Sequence, residues 1–353
     1  MQLSFVPTLD DQEIRRRLDR LLVPGPLGDP SLKRRIDRLA RSFADYAGAY
    51  PLPFWAPGLI LTPEMRGLTE ALFPMAQARR LFELLLKKSC RFTPLLAASY
   101  LYSSASWLDF LQRHRPQLRQ ADPAATLRLL ARDGEARLRF LSALLLPHHY
   151  GGAFDRYPQQ SQWLESWLRG HAGRLGGKVR ALDSACGSGE GTYGLAESIR
   201  AAGLDGEGCL VHGSTLEPIE LFAGAHAWFP HDAARAREYR ERVAPLLAPD
   251  SRVALEFFLE DVGAAAQANA YDVILCNGLL GGPLLHEPDA LAQAIRSLAG
   301  RLAPGGVLLA ADRFHAGWRL KVPAQELCAL LRAQGLVPLE VPEGVAGGKR
   351  QSG

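Results

Sequence analysis

Apolar positions fall into two regimes along the chain. In residues 9–147 they recur at helical spacing. Ser31 is placed to cap a helix whose apolar positions are Leu32, Ile36, Leu39, Phe43 and Tyr46, one stripe of a helical surface. Lys33, Arg34, Arg35, Arg38 and Arg41 fill the positions between them. Similar stretches lie near 67–88, 92–113 and 133–147, and Pro-rich breaks at 24–30 and 51–57 separate them. From about residue 178 the pattern changes. Short apolar runs at 179–183, 209–214, 253–259, 272–276 and 307–311, with a weaker one at 336–341, alternate with helical patterns at 190–202, 218–228, 289–302 and 323–334. Strands alternating with helices predict an α/β fold: a Rossmann-like, doubly wound, mostly parallel sheet, preceded by an all-α N-terminal domain. The expected division is 1–147 helical, 148–343 sheet-bearing and 344–353 a flexible tail.

Length and charge sharpen this division. At about 150 residues per domain, 353 residues make roughly two domains. A chain with 47% hydrophobic and 22% charged residues is neither disordered nor collagen-like. The net charge of +4 hides an asymmetry: residues 1–160 carry 23 basic and 15 acidic side chains, residues 161–353 carry 18 and 22. The basic front half, with its run Arg15-Arg16-Arg17, leaves two readings open: a surface for nucleic acid or an acidic partner, or a solvated helix face. Five cysteines, an odd count without C-x-x-C spacing, argue against a disulfide framework and a zinc site. His148 and His149 are adjacent but have no third ligand nearby, so no metal is expected. The N-terminus has neither the basic nor the apolar region of a signal peptide, and no apolar run approaches 18 residues. A cytoplasmic protein without membrane insertion is the expectation.

The most informative stretch runs from Asp183 through Ala185, Cys186, Gly187, Ser188, Gly189 and Glu190 to Tyr193. It follows the first predicted strand of the sheet and opens a helix. Glycines there permit a tight turn and close approach of backbone to a ligand. Glu190 directly after the second of these glycines disfavours an anionic pyrophosphate. It suits a ligand that carries a cation, such as the amino group or sulfonium of S-adenosylmethionine. In a doubly wound sheet, ligands sit beyond the carboxyl ends of the strands. Asp183, Ala185, Gly187, Gly189 and Glu190 are therefore the candidate cofactor-binding residues of the first turn. Glu217, after the second strand, is either an acceptor for ribose hydroxyls or a first-turn acid that favours its helix dipole. Asp261, after the third, is either an acceptor for an adenine amino group or a loop acid. Asn277, after the fourth, either meets cofactor and methyl acceptor or bonds its own turn.

These residues resemble a class I S-adenosylmethionine-dependent methyltransferase, and more narrowly the CheR family of chemotaxis receptor glutamate methyltransferases. The family's glycine loop reads A-[AG]-C-S-T-G-E-E-P-Y-S-L-A. Ala185, Cys186, Gly189, Glu190, Tyr193, Leu195 and Ala196 match it in register. Phe154-Asp155-Arg156-Tyr157-Pro158 carries the Phe, Arg and Pro of the family's T-x-F-F-R-[DE]-P. Thr215-Leu216-Glu217-Pro218 stands where the family has D-I-D-P. The stretch 271–278 is similar to F-D-x-I-x-C-R-N, and 302–308 to L-x-P-G-G-x-L. The likeness covers about residues 145–315. It implies methyl transfer from S-adenosylmethionine to a protein or small-molecule acceptor, with Arg156, Tyr193 and Asn277 on the catalytic side. Arg156 would orient an acceptor carboxylate through a bidentate pair, or serve as a surface ion pair. An amine or hydroxyl acceptor would want a base, for which His148, His149 and His286 are candidates. The departures are Thr215 for the family's first aspartate, Asn277-Gly278 for its Arg-Asn, and little room between 230 and 251 for its small β-subdomain. The family's last strand is expected to be missing after Val341. Two further readings remain: a non-catalytic interaction protein on the same domain, and an RNA methyltransferase.

Overall fold

The computed structural model describes residues 3–49, 60–114, 121–146, 153–264, 270–311 and 320–351. The chain divides into two compact units: Asp10–Pro147 with Phe229–Ala236, and Met1–Leu9 with His148–Trp228 and Arg237–Gly353. The Pro-rich break at 51–57 and the His148-His149 pair lie outside the described residues.

The first unit is helical in its described residues. Helix Pro30–Ala49 buries Leu32, Ile36, Leu39, Phe43 and Tyr46, the stripe that the spacing predicts. Its cap is Asp29 rather than Ser31. Asp29 Oδ1 accepts the N–H groups of Ser31 and Leu32 at 2.8 and 3.2 Å, and Pro30, without an N–H, fills the first helical position. The stretch expected near 67–88 is two helices, Pro63–Leu72 and Met75–Ser89, separated at Phe73 and Pro74. Helix Pro123–Arg132 packs on helix Pro30–Ala49. A ring cluster of Phe82, Trp107, Phe110 and Phe140 forms part of this unit's core. Arg34, Arg35, Arg38 and Arg41 are exposed, and Asp37 pairs with Arg128 at 2.8 Å.

The second unit holds an eight-stranded sheet. Its strands are β1 (Ser4–Phe5), β2 (Arg180–Ser184), β3 (Cys209–Thr215), β4 (Val253–Leu259), β5 (Tyr271–Leu275), β6 (Leu302–Ala310), β7 (Leu336–Leu339) and β8 (Val345–Lys349). They lie in the order β1-β4-β3-β2-β5-β6-β8-β7. Strands β2 to β6 are parallel, and β4-β3-β2-β5-β6 is the order of a doubly wound nucleotide fold. Leu182, Val211, Val273, Ile274 and Leu308 are buried, as a sheet covered on both faces requires. Helices Glu190–Ala201, Pro218–His226, Pro288–Arg301 and Ala324–Ala333 accompany the strands. Among the described residues no helix is long and apolar enough to cross a membrane.

The structure corrects three boundaries. The residues before Asp10 belong with the sheet, because β1 pairs antiparallel with β4 (Ser4↔Phe258, Phe5↔Phe257). A two-residue strand is too short to show a period. Residues 229–236 group with the helical unit. The expected flexible tail is instead β8 through Lys349, antiparallel between β6 and β7, so the strand expected to be missing is present. Its glycines hid it from a hydrophobic pattern. They are there for space: a Cβ on Gly347 would stand 3.0 Å from Leu336 Cβ.

Candidate functional site

Parallel registry collects the carboxyl ends of β2 to β6 along one edge. Ser184 is opposite Ser214, Thr215 opposite Leu259, Asp183 opposite Leu275, and Leu275 opposite Leu309. The turns that follow these strands carry the candidate residues. The turn at 185–189 is held by two backbone bonds, Cys186 N–H to the Ser214 carbonyl at 2.8 Å and Gly189 N–H to the Cys186 carbonyl at 2.9 Å. Three of its residues are left-handed: Ala185 (φ +64°), Gly187 (+54°) and Gly189 (+91°). At Gly189 a Cβ would stand 2.8 Å from the Phe257 ring, so both conformation and space require glycine. Ala185 tolerates a conformation that costs an L-residue roughly 1–2 kcal/mol. Nothing lies within 4 Å of where a Cβ on Gly187 would be, so that face of the turn opens onto free space.

Four expected acidic residues take different stations. Asp183, at the end of β2, is 3% exposed and accepts the Thr192 hydroxyl at 2.9 Å. Burial, with a further contribution from the charge of Glu190, pushes its carboxyl up to about 7. Gly191 lets the helix come down on this carboxylate: a Cβ there would stand 2.7 Å from Asp183 Oδ2. Glu190 is the first residue of helix Glu190–Ala201, 5% exposed, and accepts the Ser188 hydroxyl at 2.8 and 3.1 Å. Glu217 is 6% exposed and caps helix Pro218–His226, with Oε1 accepting the Ile219 N–H at 3.2 Å. The cap is one of the two roles left open for it. Asp261 is exposed, and its Oδ1 accepts the Gly263 N–H at 2.8 Å. That makes it a turn residue in this structure.

The catalytic-side expectations also separate. Tyr193 is fully buried and donates its hydroxyl to the Gly224 carbonyl at 2.9 Å, with burial raising its pKa. In this structure it is a core residue between two helices. Arg156 is half-buried, its guanidinium 5.1 Å from the Tyr157 ring centroid. Asn277, just beyond β5, donates from Nδ2 to Gln160 Oε1 at 2.8 Å; Gln160 Nε2 returns a longer contact to Asn277 Oδ1, 3.5 Å. His286 pairs with Glu287 at 3.2 Å.

Several supporting residues escaped the sequence reading. Arg242 grips both Glu197 oxygens at 2.7 Å and Asp155 at 3.0 and 3.2 Å, which fixes the turn before Arg156. The hydrogen bonds that Arg242 donates to Glu197 chiefly hold its pKa above the ordinary value. Gln160, 3% exposed, lies in helix Pro158–Gly170. Glu343 Oε2 accepts the N–H groups of Gln159 and Gln160 at 3.0 and 3.3 Å, an external cap on that helix. Polar residues in an amphipathic helix and before a glycine-rich strand give no sequence signal of such contacts.

No family model matches the chain. A probable biofilm formation methyltransferase, WspC of Pseudomonas putida, is 26% identical over 192 residues, 51% of this chain and 44% of that protein. The chain thus spans less than half the length of this curated relative. Among solved structures, the sugar N-methyltransferase KedS8 from a Streptoalloteichus species is similar at a TM-score of 0.36 and 18% identity, over 58% of this chain and 95% of that one. The magnesium protoporphyrin IX methyltransferase ChlM of Synechocystis, with bound S-adenosylmethionine, is similar at 0.35 and 15%, over 62% and 97%.

Proposed function

We propose that the chain is an S-adenosylmethionine-dependent methyltransferase whose sheet unit binds the cofactor at the 185–189 turn and delivers methyl to an acceptor near Asn277. The observation that carries this reading is the buried carboxylate of Glu190 opening the helix after a left-handed turn, with buried Glu217 after the next strand. Buried acids at that edge fit a ligand that carries cations and sugar hydroxyls, and repel a pyrophosphate. The open face at Gly187 gives backbone room for it. The curated relative is named a probable methyltransferase, in agreement with this reading.

S-adenosylmethionine brings its own leaving group, so the protein's task is to bind, orient and exclude water. Glu190 and Glu217 would hold cation and ribose, and the 185–189 backbone would shape the pocket floor. The resemblance to the CheR family supports a protein carboxylate as acceptor, oriented by Arg156. Titration calorimetry with S-adenosylmethionine tests the binding claim. Heat with a thermal shift is expected; neither at millimolar ligand overturns it. Release of S-adenosylhomocysteine in the presence of candidate protein, RNA and small-molecule acceptors then separates enzyme from scaffold. Binding without turnover on any of them would favour an interaction protein, and steeply salt-dependent RNA binding would favour an RNA acceptor.

A further inference from the structure

A side chain from outside the 185–189 turn reaches its centre. Tyr239, in helix Ala233–Val243, is 2% exposed and donates its hydroxyl to the Ser188 carbonyl. The N–H of the same peptide, that of Gly189, donates to the Cys186 carbonyl at 2.9 Å. The Ser188–Gly189 peptide is thus held at both ends. Its surroundings leave room for the carbonyl and little else. A Cβ on Gly224, in helix Pro218–His226, would stand 2.9 Å from the Ser188 oxygen, and a Cβ on Gly189 would stand 3.1 Å from the Tyr239 hydroxyl. The Tyr239 ring packs against Phe154 and Tyr193, with centroids 5.0 and 5.8 Å away. One turn further along the same helix, Arg242 bonds Glu197 and Asp155.

The orientation of that peptide decides the shape of the turn. Turning it over reverses the sign of φ at Gly189, from the left-handed +91° to a value open to any residue, as between turn types II and I. Glycine permits both forms about equally, so the residue type does not choose between them. The bonds to Tyr239 and Cys186 do. The Ser188 hydroxyl, on the residue whose carbonyl is held, also bonds both Glu190 oxygens, so a turned peptide would disturb that carboxylate too. We propose that Tyr239 is a positioning residue for the cofactor: by fixing the Ser188 carbonyl it keeps the turn in its ligand-binding form before a ligand arrives, with Glu190 set to meet the ligand's cation. This rests on the methyl-transfer reading above. Without the hydroxyl, only part of the population has the competent turn, and apparent affinity falls by that fraction.

The test measures the affinity of the full chain for S-adenosylmethionine and S-adenosylhomocysteine by calorimetry, beside its melting temperature. Tyr239→Phe keeps the ring and removes the hydroxyl. Both ligands are expected to bind it about tenfold more weakly, the size of one lost buried hydrogen bond. Tyr271→Phe controls for lost stability alone. Tyr271 opens β5 at its amino end, and its hydroxyl bonds His212 Nδ1 at 2.8 Å, so this variant loses a buried hydrogen bond away from the turn. Its affinities should stay within about twofold of the unaltered chain. Unchanged affinity in Tyr239→Phe overturns the proposal. So does an equal loss in both variants, which would mark a general loosening of the fold. Failure of both ligands to bind the unaltered chain overturns the methyl-transfer reading itself. Hydrogen exchange at the Gly189 amide reads the peptide directly. Without ligand, this amide is expected to be protected in the unaltered chain. In Tyr239→Phe it should exchange about tenfold faster or more, and regain protection with saturating S-adenosylhomocysteine. Fast exchange in the unaltered chain overturns the proposal even where the variant does not fold.

Discussion

The two sides of the strand edge are built differently. On the cofactor side, Asp183, the 185–189 turn, Glu190 and Glu217 lie within one strand–helix–strand passage, and backbone bonds such as Cys186 to Ser214 lock them. Beside β5, Gln160, Asn277 and Glu343 come from three separate segments, and each contact between them uses at least one side chain. A locally encoded site is rigid and readable; a site assembled from distant side chains can change its substrate by single substitutions. On the proposed reading, general ligand binding belongs to the first side and acceptor choice to the second.

The contrast can be broken most strongly at Glu190. Glu190→Gln should weaken S-adenosylmethionine binding by about tenfold to a hundredfold, the range of a lost buried charged contact. Unchanged affinity in calorimetry would remove the residue from the site. Gly189→Ala should destabilise the fold by about 1–3 kcal/mol, because it adds a clash with Phe257 to a disfavoured φ, and a thermal melt reads the effect. Asp183 supplies a pH signature. Its folded carboxyl sits near 7, above the ordinary 3.8, so the folded state binds the extra proton between those values. Stability should fall as pH rises from about 4 to about 7 and level off beyond, while Asp183→Asn should lack that slope. Melts of both proteins from pH 5 to 8 that run parallel would contradict it. Affinity for a cationic ligand held beside Asp183 should rise as pH passes upward through about 7, where the folded carboxylate ionises. The smallest effect belongs to Asp261→Asn, an exposed turn residue: affinity should change less than about twofold. A large loss there would restore its adenine-binding role.

Legibility follows the same division. Five of the six apolar runs from 179 onward are the parallel strands β2 to β6, and strands covered on both faces need apolar residues throughout, which writes them plainly into the chain; the weaker sixth is the antiparallel edge strand β7. The glycine turn is readable because its conformation demands particular residues at consecutive positions. β8 was not, because Gly347 and Gly348 meet a need for space rather than burial. The Asp29 cap shifts a helix start that Ser31 suggested, since two capping residues flank one proline. Tyr193 matched a motif, and its buried bond to Gly224 is a contact that no sequence pattern signals. Gln160 and Glu343 are ordinary polar residues locally; their partners are separated from them by more than a hundred positions.

The pairing of Ser4 with Phe258 also bears on how the chain folds. During synthesis the first strand emerges long before its partner, and the helical residues after Asp10 can collapse while it waits. Closing so long a loop adds little entropic cost with length but makes the contact non-local, and non-local contacts form late. Until then β4 presents an unpaired edge, a template for strand addition from another chain. A fragment begun at residue 148 would carry that edge bare permanently, so its solubility, more than its chemistry, would decide whether the sheet unit can be studied alone.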